Sequence, residues 1–234
     1  MSPHLSSDQR RKSTGTAVFG PLRVILLLLL VLGMTACASP ASIAQCRASG
    51  TSGTATGTWP LANEDYANTR DAADSLISSR NVSQLCLAWT FPVNGVSVSG
   101  AMATAPIVVD GTVYLQDLQS NVYAVDLQSG ALKWNHLYNA ANLGPNGVAV
   151  DQGRVFAVSS MQTIVALDAA TGTQMWSRQI PSPDTQGIDQ QLTAYNGTLY
   201  LSTIPGTAPD EAHYYQGGSM GILYALDEPV SYTH

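Results

Sequence analysis

The sequence predicts an all-β protein made of repeated four-stranded sheets, the arrangement of a β-propeller. A segment of 11 residues occurs twice in register, at positions 124–134 and 166–176, with Ala, Asp, Gly and Trp at the same places. The two copies begin 42 positions apart. A repeat of roughly 40 to 45 residues is typical of propeller blades, each of which is a four-stranded antiparallel sheet. We therefore expect consecutive blades that pack face to face around an axis.

A second matching strand lies upstream in each repeat. Gly111 and Gly153 are again 42 positions apart, and short runs rich in Val, Tyr and Phe surround them. Such runs between Gly, Asp and Asn residues predict β-hairpins. A third copy begins at residues 194–200 and ends at residues 223–227. The repeated unit is therefore a whole block of strands.

An insertion at residues 205–219 lengthens the third repeat. It contains two acidic residues, a histidine and two tyrosines. Long loops on a rigid scaffold often carry function. Contact with a substrate or partner and a plain surface loop both stay open as interpretations.

Six residues of the repeated segment are predicted to be structural. The acidic residue can accept backbone N–H bonds across a tight turn, the glycine permits a positive φ, and the tryptophan is the large apolar residue of the next strand. These residues are Asp126, Gly130, Trp134, Asp168, Gly172 and Trp176.

The first 36 residues are predicted to be an export signal. Basic residues precede an unbroken apolar run at residues 24–32, which is too short to cross a bilayer core, since that takes about 20 apolar residues. Cys37 follows Thr35 and Ala36, and this pattern resembles a bacterial lipobox. We expect Cys37 to become the lipidated first residue, which makes the protein an extracytoplasmic lipoprotein. Ordinary cleavage beside an unmodified Cys37 stays open.

Residues 37–58 are predicted to be a flexible tether, because Ala, Ser, Thr and Gly dominate them without apolar periodicity. An exported protein folds in an oxidising compartment, where disulfides persist. Cys46 and Cys86 can therefore form a bridge that ties the tether to the folded domain. Cys86 also lies in a strand-like run, so a role as a small buried hydrophobic residue stays open.

Composition and spacing exclude some functions. The formal net charge is −6 and only 11% of the residues are charged, so no basic surface for a nucleic acid is expected. The histidines His136 and His213 lack the spacing of zinc ligands, and we expect them on the surface. No catalytic, cofactor-binding or metal-binding residue is assigned.

The repeated segment resembles the pyrroloquinoline-quinone (PQQ) repeat family, whose blades carry Ala-x-Asp-x-x-[Thr/Ser]-Gly-x-x-x-Trp. Residues 59–91, with Trp59-Pro60, Asn68-Thr69-Arg70 and Ala88-Trp89, look like the start of PQQ-dependent alcohol and polyvinyl-alcohol dehydrogenases. In that group the Ala-Trp strand completes the last blade. The resemblance implies a PQQ/WD40-like ring of seven or eight blades, of which residues 59–229 would form three to four. Residues 230–234 look like a tail foreign to the native protein.

For function, the resemblance implies PQQ with Ca²⁺ as cofactors and an alcohol-type substrate. The chain departs from the enzymes at two places. Ala103 stands where they have a Glu, and residues 142–147 lack their Cys-Cys pair and arginine. The alternative is a scaffold lipoprotein similar to the one in the outer-membrane barrel-assembly machinery, which binds protein partners and uses no cofactor.

The lipid anchor can be tested by localisation. Burial of acyl methylenes contributes about 0.8 kcal/mol each to membrane binding, so the Cys37→Ser variant should move from the membrane fraction to the soluble extracytoplasmic fraction. Cell fractionation and immunoblotting measure this, and Cys46→Ser serves as the control. Retention of Cys37→Ser in the membrane fraction would contradict the lipobox interpretation.

Overall fold

The computed structural model describes residues 57–227 except 74, 94, 96–99, 143, 182–185 and 206–220. The export signal, Cys37, Cys46, nearly all of the tether and of the insertion at residues 205–219, and residues 230–234 lie outside the described residues. So does His213.

The described part of the chain forms three antiparallel sheets of four strands each, in chain order. A turn of 3₁₀ helix at Val82–Gln84 precedes them. The first sheet contains β1 Ile107–Val109, β2 Thr112–Gln116, β3 Val122–Asp126 and β4 Leu132–His136. The second contains β5 Ala149–Asp151, β6 Arg154–Ser160, β7 Thr163–Asp168 and β8 Gln174–Gln179. The third contains β9 Gln186–Ile188, β10 Thr193–Tyr195, β11 Thr198–Pro205 and β12 Leu223–Asp227.

The first two sheets have the meander order predicted for blades, in which each strand pairs with the next. Their innermost hairpins turn at Asp110-Gly111 and Gln152-Gly153, where both residues of each turn have positive φ. Two-residue turns with this geometry match the twist of the flanking strands. The third sheet turns in the same way at Asn196-Gly197.

The third sheet departs from the meander. Strand β11 is long enough to pair with three strands: its first half pairs with β10, its second half pairs with β9, and its other edge pairs with β12. The two short strands β9 and β10 therefore share the position that one innermost strand occupies in the other sheets.

Apolar side chains fill the space between neighbouring sheets. One cluster joins the first and second sheets through residues such as Tyr114 and Leu167. Another joins the second and third through residues such as Phe156 and Leu201. Strand β2 is buried along its whole length, whereas most side chains of β8 are exposed. This face-to-face packing of repeated sheets confirms the predicted all-β architecture.

A tryptophan from one sheet docks on the turn of the next. Trp134 in β4 donates its indole N–H to the carbonyl of Ala169 at 2.9 Å. Its ring covers Gly172, where an added Cβ would lie 2.5 Å from the indole. Trp89 does the same one repeat earlier, with a 3.0 Å bond to the Leu127 carbonyl and its ring against Gly130.

The turn that receives the tryptophan is held by its aspartate. Asp168 accepts bonds from the backbone N–H and the hydroxyl of Thr171 at 2.8 and 2.9 Å, and its own carbonyl accepts the Gly172 N–H at 2.8 Å. Asp126 makes the equivalent bonds to Ser129. Both glycines have positive φ, 70° at Gly130 and 72° at Gly172. Aspartate, glycine and tryptophan thus act together in one inter-sheet contact.

The segment before the first sheet, residues 85–93, forms no strand with the described residues. The blade that the Ala-Trp strand is expected to complete is not among the three described sheets, so that strand stays a prediction. Trp89, Phe91 and Val93 pack against the face of the first sheet that points away from the second sheet. Cys86 is exposed and disulfide-bonded, so its interpretation as a buried hydrophobic residue is wrong. Its pairing with Cys46 stays a prediction.

Two glycine variants separate backbone strain from the docking contact. Gly153 and Gly172 have nearly the same φ, 74° and 72°, but nothing lies within 4 Å of a Cβ added at Gly153. Gly153→Ala should cost about 1–2 kcal/mol of unfolding free energy through strain alone. Gly172→Ala should cost roughly 1–3 kcal/mol more, because the methyl group displaces Trp134. Urea unfolding followed by tryptophan fluorescence measures both, and equal losses would refute the docking role.

The aspartate turns predict a pH dependence. Hydrogen bonds from the Ser129 and Thr171 hydroxyls and backbone hold the pKa of Asp126 and the pKa of Asp168 below the ordinary value. Since the pKa is lower in the folded state, this stabilisation is present above about pH 4 and disappears as the pH falls through the folded-state pKa.

Urea midpoints between pH 7 and pH 2 should therefore fall less steeply for Asp168→Asn than for the unmodified chain. Asp151→Asn is the matched control, because Asp151 is also the last residue of a strand, but no tryptophan packs on Gly153 in the turn that follows it. Identical pH profiles for Asp168→Asn and the unmodified chain would count against this account.

Candidate functional site

The candidate site lies beside the innermost strands, which face the axis of a propeller. Strand β5 contacts both β1 and β10, so the innermost strands of the three sheets are neighbours. Each innermost strand pairs through one edge with the next strand of its own sheet. The other edge of each innermost strand is available to other parts of the chain.

Residues 59–70, which we name the crossing segment, run over these edges. At one end, Trp59 and Val108 exchange backbone hydrogen bonds of 2.8 and 2.9 Å. At the other end, the Tyr66 hydroxyl donates to the carbonyl of Ala194 in β10. The Tyr66 ring also meets Tyr195 edge to face, with centroids 4.7 Å apart. The crossing segment therefore links the first sheet to the third.

Local turns fold the crossing segment. Asp65 accepts bonds from the Thr69 backbone N–H and hydroxyl, both at 3.0 Å, and the Thr69 N–H is the main reason that the pKa of Asp65 is lowered. Glu64, Asn68 and Arg70 have positive φ. Sequence reasoning singled out this stretch only through its resemblance to the dehydrogenases, because a local turn pattern does not reveal what the turns contact.

A cavity of about 270 Å³ separates the crossing segment from the innermost strands. Its apolar walls include Ile107, Val148 and Leu192. Polar side chains complete the lining: Asn63, Asp65, Tyr66, Asn68, Gln191 and Thr193. The lining contains no lysine, arginine or histidine. We name this space the axial cavity.

The loops that lead into the innermost strands pack closely next to the axial cavity. The Thr104 hydroxyl donates to the carbonyl of Asn146 at 3.2 Å, and these residues are 42 positions apart, at equivalent places in two repeats. Gln191 donates its side-chain amide to the carbonyls of Val148 at 3.0 Å and Ala105 at 3.4 Å. A Cβ at Gly147 would lie 2.9 Å from both Gln191 and Thr104.

These loops are where the resemblance would put contacts to PQQ. Asn146, the residue just before Gly147, is 1% exposed, and within the described residues its side-chain amide has no hydrogen-bond partner. Ala103 carries no polar group. A cofactor with three carboxylates is held by cationic side chains and N–H donors. Of these two positions Asn146 offers an amide and Ala103 offers nothing, so they supply PQQ with no cationic side chain.

A second polar cluster was missed by sequence reasoning. Asp117 is completely buried, and its carboxylate accepts five hydrogen bonds of 2.8 to 3.0 Å. The donors are the backbone N–H groups of Gly95, Gln119 and Asn121, the Asn121 amide and the Tyr123 hydroxyl. Because both oxygens of its carboxylate accept bonds, Asp117 holds Gly95, which precedes the first sheet, against the β2–β3 connection. Because Asp117 directly follows β2, the sequence could have predicted that it lies in a turn. It could not have predicted that the side chain is buried.

His136 and Trp176, which the sequence analysis also singled out, contact neighbouring residues of the blades. His136 bonds the Gly172 carbonyl through Nδ1 at 3.1 Å and stacks on Tyr138 at 4.5 Å, so it contributes to the contact between the first two sheets. Burial raises the pKa of Tyr138 to about 12. Trp176 is half-buried against Phe156, with ring centroids 6.0 Å apart.

Neither a metal cluster nor a membrane span is found in the described part of the chain. No three His, Cys, Asp or Glu residues there are grouped as a metal site requires. None of its helices has the length and hydropathy of a bilayer-spanning helix.

Comparison with known proteins agrees with this architecture. The chain is 34% identical over 127 residues to a quinohemoprotein alcohol dehydrogenase from Comamonas testosteroni, covering 50% of this chain and 18% of the relative. It is 33% identical over 104 residues to the outer membrane protein assembly factor BamB of Yersinia pestis, covering 43% of this chain and 24% of the relative. The chain spans 18–21% of the length of three dehydrogenase relatives.

The solved structure of the Comamonas testosteroni enzyme superposes with a TM-score of 0.61 at 27% identity, covering 74% of this chain and 26% of that chain. The sheets are therefore propeller blades. Residues 45–227 match the family model described as outer membrane protein assembly factor BamB. Since this match includes most of the chain, the protein belongs to that PQQ-repeat family of β-propellers.

Proposed function

We propose that the chain is the N-terminal part of an exported quinoprotein oxidoreductase that oxidises an alcohol-type substrate. The observation that carries the proposal is the position of the crossing segment. This segment belongs to the dehydrogenase-like opening of the sequence, and it bonds to the innermost strands of the first and third blades through Trp59 and Tyr66. These contacts support the proposal that the opening is part of the propeller.

The proposed organisation has an export signal at residues 1–36, a tether at residues 37–58 and propeller blades at residues 59–229. Lipidated Cys37 would hold the protein to a membrane on its extracytoplasmic side. The disulfide at Cys86 supports export, because disulfides persist in oxidising compartments and are rare in the cytosol.

In this proposal the described blades provide scaffold and not cofactor contacts. Ala103 and the neutral, buried Asn146 offer no charge to a quinone carboxylate. PQQ and its metal ion would depend on other blades of the functional protein. When bound, the quinone would accept the electrons removed from the alcohol.

A second candidate is a membrane-tethered scaffold that binds protein partners. The absence of a cationic side chain around the axial cavity favours it, as does the match to the family model described as BamB. A propeller can serve this function with no cofactor, since its loops and edges supply the contacts.

Cofactor reconstitution separates the two candidates. The complete product of the gene is titrated with PQQ together with Ca²⁺ or La³⁺, the second ion because a relative is named a lanthanide-dependent methanol dehydrogenase. The oxidoreductase proposal predicts a stoichiometric bound chromophore and dye-linked oxidation of ethanol or 1-butanol. PQQ without metal is the control.

A protein that shows neither chromophore nor alcohol oxidation, although folded by circular dichroism, would refute the oxidoreductase and favour the scaffold. Chromophore binding without oxidation of either alcohol would contradict the proposed substrate class.

A further inference from the structure

We propose that the axial cavity binds a small ligand that carries hydroxyl groups and no negative charge. Its volume of about 270 Å³ is below the range of roughly 300–1,000 Å³ that is typical of pockets for drug-sized ligands. A molecule of a few carbon atoms fits this size.

The polar lining can recognise hydroxyl groups. Gln191 is oriented by the bonds of its amide nitrogen to two backbone carbonyls, which leaves its Oε1 as an acceptor. The Thr193 hydroxyl and the Asn63 amide can both donate and accept. Apolar contact with Ile107 and Leu192 would cover the carbon skeleton of the ligand.

The charge of the lining disfavours an anionic ligand. Asp65 is the carboxylate in the lining, and no cationic side chain faces it there. An anionic ligand would meet like charge without a compensating partner. The Asp65 carboxylate already accepts bonds from Thr69 at both oxygens, and Glu64 and Asn68 also hydrogen-bond to it, so the bonds to the ligand would come from Gln191, Thr193 and Asn63.

The axial cavity is separate from the positions at which the resemblance would put cofactor contacts. Neither Ala103 nor residues 142–146 belong to its lining. Ligand binding there requires neither PQQ nor electron transfer. The inference therefore holds for an oxidoreductase and for a scaffold alike.

A matched pair of probes tests the proposal. Lactate and 1,2-propanediol share a hydroxylated three-carbon skeleton, but lactate is an anion. Saturation-transfer NMR on the full chain in detergent micelles, without PQQ, should detect 1,2-propanediol, and lactate should bind at least about tenfold more weakly. No binding of the diol, or equal binding of the two probes, would overturn the proposal.

Three variants locate the binding. Thr193→Val removes one hydroxyl from the lining and should weaken diol binding by roughly 2- to 10-fold, the loss expected for one hydrogen bond. Thr198→Val is the control, because Thr198 lies in the same hairpin outside the lining. Ala62→Trp changes an exposed residue of the lining and should abolish binding by filling the cavity.

Equal effects of the Thr193 and Thr198 variants, or undiminished binding to Ala62→Trp, would refute the site. Urea midpoints show whether each variant is folded. Since these measurements contain no cofactor, their failure is independent of the outcome of the reconstitution experiment.

Discussion

The propeller depends on one inter-blade contact, in which an indole from one sheet lies on the glycine turn of the next. The contact joins two kinds of interaction. The ring buries apolar area against backbone that carries no side chain, and the indole N–H satisfies a carbonyl that would otherwise lose its hydration. At the junction of the first two blades, the Ala169 carbonyl also accepts the Tyr114 hydroxyl at 3.1 Å. Two side chains of one blade are thus anchored to one atom of its neighbour.

A second bond between the same blades lies deeper. The buried Gln116 donates its amide to the Val158 carbonyl at 2.6 Å and accepts the Val158 N–H at 3.4 Å. Because a buried amide without partners would be costly, this exchange specifies how the two sheets align. The aromatic contact and the amide contact together explain why blades of low charge can pack in one defined arrangement.

The axis shows a different chemistry from the blade junctions. Between sheets the contacts are apolar and closely packed, whereas the crossing segment leaves the axial cavity, with polar and apolar walls, beside the innermost strands. The crossing segment is held at both ends, by Trp59 and by Tyr66. Its turns are stabilised by short-range bonds such as those of Asp65 to Thr69. It can therefore form one wall of a small binding site without belonging to any sheet.

Local chemistry explains which features could be predicted from the sequence. The strands, the hairpin turns at Asp110-Gly111 and Gln152-Gly153, and the aspartate turns all depend on residues within a few positions of one another. The register of the repeat also indicated which tryptophans are equivalent. The contact of Trp89 with Gly130 could not be predicted, because the two residues are 41 positions apart and neither local pattern reveals the other.

By itself, then, the sequence determined the all-β class, the blade period and the chemistry of each turn, because these follow from periodicity and short-range hydrogen bonding. Only the tertiary structure decided that the crossing segment spans three blades, that Asp117 is buried with five donors, and that no cationic side chain lines the axial cavity. These features depend on residues brought together from distant repeats, and sheet packing, not local preference, sets their separation.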